Sequence, residues 1–407
     1  MKSIILLRGL EKNQKKKWIK EENLQNFFID YDTFNRLYSV PEYKFKTEDG
    51  ILGRANTSKV FKEFLRAVIN RLESGCLIVI DLELIGTSTI ETLATVYGYT
   101  VFNKIFPIPQ DYIGNPGKYS IEGFEKKRRE DLQKEVDSFL NLQLSQTNII
   151  ESYKDLEKFW EDKYTLDIRS DTPILHFFSD IHSNYKLFSQ INSQIPITEF
   201  KIFLGDYIDG PEVGGSRVMI DYVLNKVGGY SVCLEGNHEK RLRKYLYCRW
   251  VSQSSSKQKQ EAMKMIWESL PEDFLCTTAK EFETMSPNEC WDMIKRMNYR
   301  LVPFKIILTE DITYICTHGG IRCLEQLSPK YIGNAIYGNR DMDEYDRLFS
   351  RKYYSDDYIS IHAHCKYPDK VEPFRYKKTI NLDPEDETQI IYLNTKNINP
   401  FEPCIVK

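Results

Sequence analysis

Residues 200–210 read FKIFLGDYIDG: an apolar run, Phe200–Leu204, passes straight into a glycine and two carboxylates, Asp206 and Asp209. The same grammar recurs along the second half of the chain. Ile174–Ser179 runs into DIH (Asp180, His182), Ser231–Leu234 precedes GNHE (Asn237, His238, Glu239), Thr313–Cys316 precedes THGG (His318), and HAH follows at His362 and His364. Short apolar runs bounded by turn residues read as buried strands. Loops that leave the carboxyl ends of strands are where open α/β sheets bind ligands. The chain has six histidines, and five of them fall in these motifs. His176 lies inside a strand run and reads as a core imidazole.

Carboxylate, imidazole and amide-oxygen donors suit Mn²⁺, Fe or Zn²⁺ better than Ca²⁺ or a thiolate-bound metal, and an aspartate between two ions can bridge them. Two ions about 3.5–4 Å apart clamp phosphoryl oxygens and activate water, so phosphate-ester hydrolysis is the reaction such a set favours.

In this order the motifs resemble the calcineurin-like metallophosphoesterase superfamily, whose pattern is DxH, GDxxD, GNHE/D, GH or HGG, and a final GH. The resemblance implies that Asp180, His182 and Asp206 hold a first metal, and Asp206, Asn237, His318 and His364 a second. It implies Mn²⁺ as the usual ion, with Ni²⁺, Fe or Zn²⁺ as alternatives. His238 is then the acid that protonates the leaving group, Asp209 its orienting carboxylate, and Glu239 a support for the loop. The chain departs from the pattern twice. Protein phosphatases of this type have GDxxDRG, whereas GDYIDGP puts Gly210 where their phosphate-gripping arginine stands. Arg241, Arg217 and Arg243 are the candidates to replace it, with an exposed helix face as the other reading of Arg243. The last motif is HAHC, with Lys366 where a further histidine often lies.

The first half begins with a strand, Ile4–Leu7, and then GLEKNQKKK at 9–17. On the phosphate-loop template GxxxxGK[ST], Gly9 and Lys15 fit, but Gln14 replaces the second glycine and Lys16 the hydroxyl that would hold Mg²⁺. FIDYDTFNR at 28–36, with Asp32 or Asp30 as base, and CLIVIDLELIG at 76–86, with Asp81, resemble segments of polynucleotide kinases. Where an arginine-bearing lid should follow, the chain has QDYIGNPGK. Phosphoryl transfer depends on positioning and charge neutralisation, so this half reads as a degenerate P-loop kinase. Its retained function is binding or substrate positioning, and the lysines at 12 and 15–17 could meet a nucleotide or nucleic-acid phosphate.

The expected fold is therefore α/β. A P-loop-kinase-like parallel sheet over residues 1–145 (strands near 4–7, 27–29, 77–80 and 102–108, a helix over 58–72, a charged helix over 121–142) leads into a linker with an amphipathic helix around Leu156 over 146–171. An α/β metallophosphoesterase sandwich follows over 172–407, with a helical insertion at about 240–300 whose SQSSSKQKQ patch (252–260) reads as a solvated loop. The order resembles the first two domains of bacterial polynucleotide kinase-phosphatases of RNA repair, without a ligase domain. A net charge of −3 over 407 residues argues against a nucleic-acid footprint in the total charge, so any such footprint is local. Nine scattered cysteines without a CxxC pair fit reduced thiols. No 18-residue apolar run and no signal-like start point to a cytoplasmic protein with no membrane partner. The expected substrates are nucleic-acid or nucleotide phosphates: 2′- or 3′-monoesters, or 2′,3′-cyclic ends. The alternatives are a serine/threonine protein phosphatase and a non-enzymatic nucleotide or RNA-end binding protein.

Overall fold

The computed structural model describes residues 2–9, 12–38, 45–47, 50–52, 57–81, 87–106, 148–170, 174–210, 214–225, 230–338, 342–364, 374–376, 378–383, 390–395 and 404–406. The expected lid (110–118), the helix over 121–142 and Lys366 lie outside them. The chain forms two compact units: Ser3–Ala94 with Tyr99–Lys158, and Met1–Lys2, Thr95–Gly98 and Phe159–Lys407.

In the first unit the strands are β1 (Lys2–Arg8), β2 (Phe28–Asp30), β3 (Phe45–Thr47), β4 (Gly50–Leu52), β5 (Ile78–Asp81), β6 (Tyr99–Ile105) and β7 (Asn148–Ile149). Its helices are α1 (Lys12–Glu21), α2 (Tyr31–Tyr38), α3 (Thr57–Ser74) and α4 (Thr87–Val96). The sheet order is β2-β5-β1-β6-β7, with parallel pairing of β1 and β2 to β5 and of β6 to β7, while β3 and β4 form a separate hairpin. Ile4, Ile5, Leu6, Val79 and Ile80 are fully or almost fully buried, as expected of strands covered on both faces.

The connector carries the helix expected around Leu156 and two short strands besides. β7 completes the first sheet, and α5 (Tyr153–Tyr164) buries Leu156 and Trp160. β8 (Thr165–Asp167) pairs in parallel with β13 (Phe304–Leu308) of the second unit.

Among the described residues two six-stranded sheets make the sandwich of the second unit. One has the order β12-β11-β10-β9-β18-β19: β9 (Leu175–Phe178), β10 (Phe200–Phe203), β11 (Ser231–Leu234) and β12 (Leu301–Val302) pair in parallel, and β18 (Ile390–Asn394) and β19 (Cys404–Val406) add antiparallel edges. The other is β16-β17-β15-β14-β13-β8, with β14 (Thr313–Thr317), β15 (Tyr358–His362), β16 (Phe374–Tyr376) and β17 (Thr379–Asn381).

Because side chains alternate along a strand, Leu175, Phe177, Phe200 and Ile202 meet Ile307, Ile359, Ile361 and Ile380 between the sheets. Phe178 and Phe203 point the other way and stack at 5.2 Å, both against Phe188 of α6 (Tyr185–Asn192). Each such ring contributes roughly 1.5–3 kcal/mol on burial.

α7 (Gly215–Asn225) follows β10. After β11 come α8 (Asn237–Val251), α9 (Lys257–Trp267), α10 (Glu272–Cys276) and α11 (Pro287–Arg300), so the insertion is helical. The expected loop at 252–260 is shorter than read. Ser256 caps α9 by accepting the Lys259 N–H at 3.4 Å, and the helix starts at Lys257. α11 has a full capping box, Ser286 with Glu289, and Pro287 at its first position. α12 (Gly333–Tyr337) and α13 (Met342–Lys352) lie between β14 and β15. Among the described residues no helix is long and apolar enough to cross a membrane.

Candidate active site

Parallel pairing of β9, β10 and β11 brings their carboxyl ends side by side, and the three loops that leave them carry Asp180 and His182, Asp206 and Asp209, and Asn237 and His238. The loops are bent tightly. Asp180, His182, Ser183, Asp206, Asp209 and His364 all have positive φ, and the only other non-glycine residue with that conformation among the described residues is Asn23. Such backbone is costly for a side-chain-bearing residue and persists where surrounding structure fixes it.

Ligand atoms of Asp180, His182 and Asp206 lie within 4.8 Å of one another, and so do those of Asp206, His318 and His364. Asp206 belongs to both groups. Asn237 joins the second, its Oδ1 3.1 Å from His318 Nε2. His318 Nδ1 faces the Leu204 carbonyl at 2.9 Å, and His182 Nδ1 faces the Ile208 carbonyl at 3.2 Å. A carbonyl only accepts, so each Nδ1 carries a proton, and each Nε2 turns to the carboxylate side, at 3.3 Å from Asp206 and 3.7 Å from Asp180. This is the outer-shell arrangement by which proteins aim imidazoles at metal ions. The donor set therefore fits two divalent cations sharing Asp206.

The electrostatics call for positive charge. Burial works to raise the Asp206 pKa, yet the imidazoles of His238, His318 and His182 outweigh it and hold the carboxylate well below its ordinary range. Burial likewise opposes protonation of His182 and His318, but Asp180 and Asp206 push the first up to about 10, and Asp206 pushes the second up to about 9. Burial and the neighbouring His318 push His364 down to about 4, which keeps it neutral and able to donate a lone pair. Cations entering such a site displace protons from its imidazoles.

His238 stands beside the cluster. Its Nδ1 is 2.7 Å from Asp209 Oδ2, its Nε2 is 3.5 Å from Asp206 Oδ2, and its backbone N–H donates to Asp206 Oδ1 at 3.1 Å. Glu239 is wholly buried and accepts the N–H groups of Asp206, Gly236 and Tyr207 at 3.1, 2.9 and 2.8 Å, tying the GDY loop to the GN loop. Gly236 has to be glycine, because a Cβ there would overlap Asp206.

A second network was invisible in the sequence. Ser183 and Ser216 share a hydroxyl bond at 2.7 Å, the Gly210 N–H donates to Ser183 at 3.1 Å, and the Asp209 N–H reaches Ser216 at 3.4 Å. From the insertion, Glu281 caps α7 through the N–H groups of Gly214 (3.1 Å) and Arg217 (2.7 Å). No local spacing links residues so far apart in sequence.

The arginine candidates separate. Arg243, expected on a phosphate or on an exposed face, is instead 1 % exposed and paired with Glu235. Arg217 is held by Asp221 at 2.9 Å and lies over the Phe282 ring. Arg241 is 30 % exposed and sits 3.4 Å from Asp209. At position 210 itself a Cβ would overlap the His182 carbonyl oxygen. Gly210→Ala is therefore expected to displace the His182 loop, at a cost of about 1–3 kcal/mol, and to lower the divalent-metal content per chain. Unchanged melting together with unchanged metal content would show that the loop accommodates the methyl group.

Of the two histidines of HAH, His362 is buried with Nε2 3.0 Å from Asp346, and His364 turns to the cluster. His176 is a core residue, bonded to Tyr392 and Glu199.

In the first unit Gly9 has φ +118° and packs against the Phe106 carbonyl, where a Cβ would collide. α1 already starts at Lys12, so Lys15 lies within the helix. It is buried and ion-paired with Asp81 at 2.8 Å. Asp30 accepts from the Thr33 hydroxyl at 3.2 Å, and Asp32 lies in α2.

An α/β sandwich that gathers two Asp/His groups around one shared carboxylate at its strand ends defines a metallophosphoesterase. Residues 172–392 match the model of the calcineurin-like phosphoesterases, more than half of the chain, and the protein belongs to that family. No curated protein is matched in sequence. Solved structures similar to this chain include a protein serine/threonine phosphatase from Saccharomyces cerevisiae (12% identity, 67% of this chain and 95% of that one, TM-score 0.38). A metallophosphoesterase from Sphaerobacter thermophilus is also similar (13% identity, 57% and 88%, TM-score 0.30), as is the phosphoesterase Yfce of E. coli (16% identity, 57% and 98%, TM-score 0.23).

Proposed function

We propose that the protein is a binuclear phosphoesterase that hydrolyses nucleic-acid or nucleotide phosphates, 2′- or 3′-monoesters or 2′,3′-cyclic ends, with its first unit retained as a binding or positioning module. The observation that carries the reading is Asp206, common to two ligand groups, with His238 3.5 Å away and braced on Asp209 at 2.7 Å.

Asp180, His182 and Asp206 would hold one cation, and Asp206, Asn237, His318 and His364 the other. Oxygen and imidazole donors favour Mn²⁺, with Ni²⁺, Fe or Zn²⁺ compatible. When bound, two such ions neutralise charge on the phosphoryl oxygens and activate water for attack. The chain's own part is proton delivery. Asp209 accepts a hydrogen bond from the Nδ1–H of His238 and fixes the ring, so that Nε2 would face the substrate and give its proton to the departing oxygen.

Two features support nucleic-acid or nucleotide substrates over phosphoproteins. Position 210 has no room for the arginine of the protein-phosphatase pattern. The first unit supports a former kinase: β1 is central between β5 and β6, and Gly9 leaves its carboxyl end at the point where the sheet order reverses, the usual ligand crevice of open α/β sheets. There Lys15 is committed to Asp81 at 2.8 Å, which supports loss of phosphoryl transfer, while Lys12, Lys16, Lys17 and Lys20 line the exposed part of α1.

The test is a hydrolysis screen with Mn²⁺, Ni²⁺ and Mg²⁺ over RNA 3′-phosphate, RNA 2′,3′-cyclic phosphate, nucleotides and a phosphoserine peptide. Preferred turnover of the RNA or nucleotide esters is expected. Faster turnover of the peptide would reverse the assignment, and hydrolysis of none would favour a binding protein.

A further inference from the structure

We propose that Arg241 holds an anionic group on the leaving-group side of the substrate, in a nucleic acid the phosphate next to the one being hydrolysed. The proposal rests on the phosphoesterase reading and specifies the substrate of that site. Arg241 is one turn beyond His238 on α8, so the two side chains share a face. Its Nη1 lies 3.4 Å from Asp209 Oδ2 and 3.4 Å from His238 Nδ1. These are long contacts, and among the described residues they are the guanidinium's only side-chain partners.

His238 Nε2 faces Asp206 and the cation groups, whereas Nδ1 and Arg241 lie on the opposite edge of the ring. An oxygen that departs toward His238 carries the rest of the leaving group past that ring. A guanidinium just beyond it meets the leaving group, not the transferred phosphoryl. Arg241 reaches Asp209 at 3.4 Å where His238 holds it at 2.7 Å, and at 30 % exposure its guanidinium is open to an anion from solvent. Arg243 and Arg217 are engaged with Glu235 and Asp221, and position 210 admits no side chain.

The experiment compares a nucleoside 3′-monophosphate with the nucleoside 3′,5′-bisphosphate, which differs only in a second phosphate on the leaving group. Both are assayed for hydrolysis with Mn²⁺ and for binding by calorimetry, with wild type, Arg241→Gln and Arg241→Lys. The expected result is that Arg241→Gln raises KM and Kd for the bisphosphate roughly 10- to 100-fold, the loss of a charge-assisted hydrogen bond. The constants for the monophosphate move far less, so the preference for the bisphosphate is lost, and Arg241→Lys restores part of it.

Equal losses on both substrates would assign Arg241 to the transferred phosphoryl and overturn the proposal. A fall in kcat alone would make it a partner of Asp209 only, and no change would remove it from the site. If the wild type hydrolyses neither ester, 3′-monoesters drop out of the proposed substrates, and the calorimetric comparison of the two nucleotides still decides whether Arg241 reads the second phosphate.

Discussion

Asp206→Asn is expected to reduce turnover by about 10³-fold or more and to lower bound Mn²⁺ from two ions per chain to at most one. The carboxylate is 2 % exposed, belongs to both ligand groups, and lies 3.3 Å from His318 Nε2. Asparagine keeps the volume and one acceptor oxygen, but it puts an amide N–H, which cannot bind a cation, against nitrogen donors and removes the negative charge that draws cations in. Elemental analysis after Mn²⁺ loading, beside steady-state rates, checks both parts. Two bound ions at full turnover would remove Asp206 from the bridging position. Asp180→Ala and Asn237→Ala serve each group singly and should each cost activity through one ion.

His238→Ala is expected to have the next largest effect, and a selective one. Loss of a general acid lowers the rate by about 10²–10⁴-fold when the leaving oxygen needs a proton, as a ribose hydroxyl does. An aryl phosphate with an acidic phenol as leaving group should lose far less. Bound metal should be unchanged, because His238 contributes to neither ligand group. Asp209→Asn should follow the same pattern more weakly, since the ring keeps its place in α8 and loses only the charged acceptor at 2.7 Å. Equal loss on ribose and aryl esters, or loss of metal, would instead make His238 a structural or ligand residue.

Much of this centre was legible because its parts are local in sequence. Each motif directly follows an apolar run, and the runs over 174–179, 200–204, 231–234 and 313–316 became β9, β10, β11 and β14 with edges moved by a residue or so. β13, β15 and β17 were not read as strands, although they bring Ile307, Ile359, Ile361 and Ile380 to the sandwich interior. β13 and β17 have no motif at their ends, whereas β15 runs into HAH and only the motif was read. Arg243 was misplaced because burial depends on a partner. A helical arginine looks exposed until the partner that permits its burial, Glu235, is seen across the helix start.

The sequence alone determined the chemistry on offer: which donors exist, that they follow strands, and that neither position 210 nor the loop after β1 has the residues of the intact patterns. Those facts rest on residue identity and on neighbours in the chain, which folding does not alter. The tertiary structure decided what depends on distance. It set the distances of the cluster that the motif resemblance implied, placed His362 on Asp346, closed Lys15 onto Asp81, and left Arg241, of the three arginines, beside the acid. These outcomes depend on the pairing of strands far apart in sequence and on a few positive-φ residues that re-aim side chains at strand ends, and no spacing within the chain encodes them.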